Sequence, residues 1–318
     1  MPAKDYAEAN FQTLTESANQ TRMVLENELR EYIRQLGLEL PTSVDVQEFR
    51  LSGTWTKPTS AKFVKVIAVS GGGGGGSGGK QTATNTVTLG GGGGCGGSIG
   101  TFEIPAIYLT ATVAVTIGIG GAGASGVTVA GVGDFGGQGG ASKFGNFFSV
   151  RGSGGAFRNS GGTGAMGYPD LILQTRGTSG GTSTPAGIAG EADYSFGSPT
   201  GGGPGAGITV ANMVSNGSSS GAINMDGSGS GRFISGGGNG GSSTVPAGNG
   251  TASALPSILG GCGGGGGASM IGANGGNGGK GGFPGGGGGG GGATSTTGAK
   301  SGDGGQGGSG FVVVVTYF

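Results

Sequence analysis

Apolar residues fall into short clusters separated by long stretches that hold almost none, and the clusters carry different periods. In residues 5–36, Ala18, Thr21, Leu25, Leu29, Tyr32 and Leu36 recur at spacings of three and four, flanked by Glu26, Glu28, Arg30, Glu31 and Arg34. That stretch has no proline or glycine, and its pattern predicts one amphipathic helix, ended by Gly37 with Pro41 beyond it. The apolar seam is narrow, so it suits another helix in a partner protein or coiled coil, with Leu25, Leu29, Tyr32 and Leu36 as attachment or oligomerisation residues. Folding back onto the strands of 44–69 is the alternative.

Strand patterns follow. Residues 44–58 and 61–69 read as two strands around a Lys57-Pro58 turn, with Phe63, Val64, Val66, Ile67 and Val69 nearly continuous in apolar character. Further strands are predicted within 101–119, 142–152 and 311–318. The last, FVVVVTYF, is uncharged with four consecutive valines, so an exposed copy would aggregate. It requires a partner, either 61–69 or 113–119. Trp55, the single tryptophan, is expected to anchor this small core.

Between these strands lies a stretch that cannot form an ordinary core. Of the 89 glycines, all but Gly37 and Gly53 fall between Gly71 and Gly310, as solid runs (71–76, 90–94, 263–267, 285–292) and as a GGx beat. Such a composition ordinarily describes a flexible linker. The interspersed Val, Ile, Phe and Tyr clusters argue for order. Consecutive glycines can order as extended threefold helices, with 3 residues per turn and about 3.1 Å rise. These have no internal hydrogen bonds, so their N–H and C=O groups must pair with neighbouring helices, and glycine alone permits close approach on every side. A collagen triple helix would need glycine strictly at every third position and abundant proline, whereas the chain has runs of up to eight glycines and 11 prolines. The predicted fold is therefore mostly irregular and β: an N-terminal α-helix (1–42), a small antiparallel β connector (43–70), and a glycine-rich domain (71–318) of antiparallel polyglycine II helices, closed by the strand 311–318.

Charge and chemistry narrow the function further. Residues 1–65 hold 8 basic and 9 acidic side chains and the remainder 8 and 7, so neither part has a field that attracts nucleic acid or an anionic membrane. No apolar run reaches the length of a membrane span, and the start has no signal-peptide pattern. The chain has no histidine, which removes Ser-His-Asp and Cys-His systems and most zinc sites. Gly74, Gly79 and Lys80 match part of a phosphate-binding loop, but Gln81 stands where Ser or Thr would hold magnesium, and TATNTVTLGG starts no helix. Glu191 and Asp193, the close acidic pair, read as a solvated loop. Cys95 and Cys262 each sit inside a glycine run and read as small buried thiols, with a bridge between rods as the alternative. No enzyme activity, metal or cofactor is expected.

Function is then expected in the insertions between rods: 80–89, 156–176, 183–199, 208–226, 243–259 and 293–301. These mix Ser, Thr, Asn and Gly with sparse aromatics and arginines, a composition that pairs adaptable hydrogen bonding with rigid contact surface. The recognition candidates are Lys80, Asn85, Phe157, Arg158, Asn159, Tyr168, Arg176, Tyr194, Phe196, Asn212 and Asn216.

The order SGTWTKP (52–58), FVKVIAVSGGGGGGSGG (63–79), VTIGIGGAG (115–123), GASKFGNFFSVRGSGG (140–155), GGNGGKGGFPGGGGGGGG (275–292) and GGQGGSGFVVVV (304–315) resembles the glycine-rich domain of bacteriophage tail-fibre and adhesin proteins. It is also similar to the tip adhesins of T-even-like phage long tail fibres. The resemblance implies a polyglycine II sandwich displaying variable loops that recognise a host surface glycan or outer-membrane protein. It further implies a virion location and assembly with other tail-fibre or baseplate proteins; the N-terminal helix, by its own seam, is expected to offer a homotrimer contact. The helical start at 5–36 departs from those adhesins. A purely structural fibre or decoration protein and an ice-binding protein are the competing readings; the threonines cluster in turns, which disfavours the latter.

Overall fold

The computed structural model describes residues 43–81, 86–158, 173–175, 179–180, 182, 198–221, 223–224, 233–235, 238–239, 241–242, 260–295 and 297–318. The predicted helix 5–36, with Leu25, Leu29, Tyr32 and Leu36, lies outside them. The chain divides into two compact units, residues 1–44 with 317–318 and residues 45–316. In the first, the Phe318 N–H donates to the Ser43 carbonyl at 3.2 Å.

The described residues are β and irregular, with no α-helix. The strands are β1 (Val44–Phe49), β2 (Gly53–Thr56), β3 (Phe63–Val69), β4 (Ile99–Pro105), β5 (Thr112–Thr116), β6 (Ser142–Phe144), β7 (Phe148–Val150), β8 (Leu173–Thr175), β9 (Ile223–Asn224), β10 (Phe233–Ser235) and β11 (Phe311–Tyr317). They form a sheet of order β1-β11-β3-β4-β8, a second of order β2-β5-β6-β7, and the pair β10-β9.

The two-strand reading of 44–69 is corrected. Residues 44–58 break at Arg50–Ser52 into β1 and β2, which join different sheets. β2 pairs antiparallel with β5, Trp55 opposite Val113, and β3 pairs antiparallel with β4. Lys57 explains why no hairpin forms at Lys57-Pro58. Its N–H donates to the Ala111 carbonyl at 2.8 Å, extending the β2–β5 ladder, and its Nζ donates to the Leu109 carbonyl at 2.7 Å. The 101–119 stretch is likewise two strands, parted by a single 3₁₀ turn at Ala106–Tyr108 after Pro105.

Alternation along these strands builds the core. Val64, Val66 and Ala68 of β3 and Val312 and Val314 of β11 face Trp55, Val113, Val115, Phe144, Phe148 and Val150, all buried. The intervening residues Val69, Phe311 and Val313 form a second cluster with Ile67, Ile99 and Phe283. β11 is thus buried on both faces, which is why its valines are consecutive rather than alternating. It pairs beside β3, one of the two partners expected for it, with β1 on its other side.

The glycine segments hydrogen-bond with a period of three. Gly71, Gly74 and Ser77 donate to Gly140, Gly137 and Asp134; Gly72, Gly75 and Gly78 to Gly308, Gly305 and Gly302; Gly73, Gly76 and Gly79 to Cys95, Gly92 and Leu89, all at 2.9–3.1 Å. Partner numbers fall as donor numbers rise, so these three neighbours run antiparallel. Three more segments donate back: Gly121 and Ala124 to the carbonyls of Gly72 and Gly75, Ser153 and Ala156 to Gly71 and Gly74, Gly288 and Gly291 to Gly73 and Gly76. One rod is therefore ringed by six others. The 285–292 run is also interior, donating to segments around 276–282, 200–206 and 73–76.

This geometry explains the two glycine patterns. A rod enclosed on all sides leaves little room beyond glycine, hence the solid runs, with small buried side chains such as Ser77 and Cys95 the exceptions. A rod on the outside exposes every third residue, hence the GGx beat: Ile119, Ala122 and Ser125 are exposed on one, Val129, Val132, Phe135 and Gln138 on another, Ile271, Asn274, Asn277 and Lys280 on a third. Cys95 and Cys262 are both buried thiols, as their glycine surroundings predict.

Outer rods are stitched by these outward side chains. Asn274 and Asn277 accept the N–H groups of Lys300 and Asp303, and Asp303 in turn accepts the Gly126 N–H at 2.6 Å and pairs with Lys300 Nζ at 2.6 Å. Partial burial pushes the Asp303 carboxyl up, but the Gly126 N–H and the Lys300 charge outweigh it and hold it below the ordinary carboxylate value. A depressed folded value stabilises above the unfolded value of about 3.9, and that stability is lost as pH falls through the lower folded value. Asp303→Asn is therefore expected to lower the melting temperature modestly at pH 7. The difference from the parent should close as pH drops below about 4, as thermal scans across pH would show.

Candidate functional site

The phosphate-loop spacing of Gly74, Gly79 and Lys80 resolves into scaffold. Every N–H from Gly74 to Gly79 donates to a carbonyl of a neighbouring rod, so none is directed at an anion. Lys80 corrects the expectation of a surface contact. It is buried, and its Nζ donates to the carbonyls of Thr128 at 2.7 Å and Ala299 at 2.8 Å, which tie three segments together where the rods end.

Beside it is a cavity of about 290 Å³ lined by Gly79, Lys80, Val87, Thr88, Leu89, Gly90, Gly131, Val132, Gly133 and Arg158. Bridges between Lys80 and Gly131, Lys80 and Thr294, and Thr88 and Ile208 close off the rods around it. The lining is mostly apolar and backbone, with two cationic side chains.

Arg158 stands at its edge in a conformation that non-glycine residues seldom adopt, with φ of 42°. The reason lies in the rod: its carbonyl turns inward to accept the Gly92 N–H at 2.5 Å while the side chain stays exposed. The guanidinium carbon lies 5.0 Å from the centre of the Phe135 ring, and Phe135 meets Phe157 edge to face at 6.1 Å. Phe135 and Phe157 are about half exposed, at 54% and 52%, because both occupy outward positions of adjacent outer rods.

No protein-family model and no curated protein matches the chain.

Among the expected recognition residues, Arg158 and the buried Lys80 both line the cavity, the Lys80 Nζ being bound to carbonyls outside the lining, and Phe157 precedes Arg158 in the chain. Asn212 is linked to it through Gln81, whose Nε2 donates to Asn212 Oδ1 at 3.2 Å and to the Thr86 carbonyl at 2.8 Å. Asn216 is exposed on the 208–217 segment. Asn85, Asn159, Tyr168, Arg176, Tyr194 and Phe196 lie outside the described residues, as do Glu191 and Asp193. Val132 and Phe135, in a stretch outside the predicted insertions, join the site only in the structure. The available signal was that stretch's run of apolar residues at a spacing of three, Val129, Val132 and Phe135.

Among the described residues no group of acidic, cysteine or histidine side chains forms a metal site, and no helix is long and apolar enough to cross a membrane.

Proposed function

We propose that the chain is a non-enzymatic adhesin of a phage tail fibre, in which a bundle of polyglycine II helices holds variable loops against a host cell surface. The observation that carries the reading is the three-residue hydrogen-bond repeat around 71–79, because it makes a rigid frame from backbone alone. Loops on a rigid scaffold are the usual site of recognition. The GGx side chains, exposed in rows, add a second outer surface. In this reading the N-terminal residues attach the subunit to other fibre or baseplate proteins or to its own copies as a trimer, and the protein acts in the virion.

The test is adsorption of the labelled full-length chain to a panel of bacterial strains, beside a chain whose segments 159–172 and 183–197 are replaced by short Gly-Ser linkers. Saturable, strain-selective adsorption that falls at least tenfold on replacement is expected. Equal adsorption by both chains, or none to any strain, would overturn the reading in favour of a purely structural fibre protein. Melting temperatures of both chains establish that the frame is intact in each.

A further inference from the structure

We propose that the cavity between Lys80, Val132 and Arg158 binds a carboxylated pyranose, of the kind found as uronate units in bacterial surface polysaccharides; this rests on the adhesin reading and names its ligand.

Three observations converge. The first is size: about 290 Å³ lies at the small end of ligand pockets, enough for one sugar ring and too little for several. The second is lining. Val87, Leu89 and Val132 supply an apolar wall for the C–H face of a ring, while Thr88 and the glycine backbone offer a few polar groups. The third is charge. Arg158 is exposed, yet it makes no ion pair among the described residues, where the surface pairs are Arg50–Glu48, Lys65–Glu103 and Lys300–Asp303. Lys80, buried in the same wall, is met by carbonyl oxygens and no carboxylate. Asp134, next to Gly133 in the chain, is exposed and is not part of the lining. The Lys80 Nζ is held by carbonyls outside the lining, so Arg158 is the cation left to the cavity, and a cation without a counter-ion beside a small apolar cavity is complementary to a single ligand carboxylate.

Arg158 is built to receive it. The guanidinium is held over Phe135, and Phe135 is braced by Phe157, so the fork is oriented before the ligand arrives and little side-chain freedom is lost on binding. A guanidinium in that state offers a carboxylate two parallel N–H groups. The strained backbone at Arg158, anchored by the Gly92 N–H, fixes where the side chain leaves the rod.

The experiment titrates the full-length protein with methyl β-D-glucuronide, methyl β-D-glucoside and acetate, followed by ligand-observed NMR. The glucuronide is expected to bind with a dissociation constant of about 1 mM, at least tenfold tighter than the glucoside or acetate, since neither carries both ring and charge. Arg158→Gln should weaken glucuronide at least tenfold and erase the preference over glucoside. Arg158→Lys, which keeps charge but loses the fork, should fall between. Val132→Trp, at an exposed position lining the cavity, should block it while leaving the melting temperature unchanged. Equal binding of glucuronide and glucoside, no glucuronide binding, or an Arg158→Gln protein of unchanged affinity and preference would overturn the proposal. Loop-dependent adsorption to cells without glucuronide binding would remove the site and keep the adhesin; glucuronide binding without adsorption to any strain would do the reverse.

Discussion

Gly289→Ala is expected to destabilise the protein by about 3 kcal/mol or more and to deplete soluble folded material, although it adds one methyl group. Gly289 lies in the interior 285–292 rod, where its N–H donates to the Gly279 carbonyl at 2.9 Å and its carbonyl accepts from Gly305 at 2.7 Å. An added Cβ would sit 2.7 Å from the Gly265 carbonyl carbon and 2.8 Å from the Gly264 oxygen, with the Gly265 oxygen closer still. These are backbone atoms of a rod hydrogen-bonded in its turn to other rods, so no rotamer change relieves the clash. In an ordinary core, alanine for glycine within a regular element stabilises by restricting the unfolded chain; here the native packing reverses the sign. Gly53→Ala is the control. Its Cβ would rest 3.5 Å from a Phe49 ring carbon, ordinary contact, and a strand glycine is itself unfavourable by about 0.5–1 kcal/mol, so stability should hold or rise slightly. Urea and thermal unfolding of both proteins decide the matter: if Gly289→Ala melts with Gly53→Ala, the rods are not close-packed.

Trp55→Ala should cost about 3–5 kcal/mol, the range for deleting a large buried aromatic. Trp55 is fully buried, with its ring meeting Phe144 edge to face at 5.5 Å, in the cluster that joins the two main sheets. The consequence should reach well beyond the sheets. Ordering a glycine costs about 1–2 kcal/mol, and a backbone hydrogen bond returns roughly 0.5–1.5, so the rods gain little alone. The sheet core supplies the surplus, through β3 running into 71–79, β5 into 117–126 and β11 out of 300–310. Hydrogen exchange in Trp55→Ala should therefore rise in the glycine rods as well as in the strands. Faster exchange confined to β2, β5 and β6 would instead mean that the rods stand independently of this core.

Sequence alone determined a good deal. The distribution of glycine announced backbone-paired segments in place of an ordinary core, since glycine alone permits close approach on every side; that the solid runs are enclosed and the GGx beat lies outside was decided by the tertiary structure. The four valines of β11 announced a strand that needed a partner, and the solitary Trp55 its place in the core. The broken 44–58 segment was not legible, because its alternation is equally good for one strand or two and only the pairing of β1 with β11 and of β2 with β5 distinguishes them. Nor was the meeting of Lys80, Phe135 and Arg158. Their three segments come together because rods pair through identical backbone groups, so glycine carries no information about which rod lies beside which. That choice falls to the sheets and to a few buried hydroxyls. Ser142 donates to the Val69 carbonyl at 2.6 Å, Ser153 to Gly71 at 3.0 Å, and Thr200 accepts the Gly263 N–H at 2.9 Å, each setting one rod against another. Backbone hydrogen bonding is uniform along a glycine run, so the existence of the rods is local to the sequence, whereas their register and the site at their ends exist only once the whole bundle has closed.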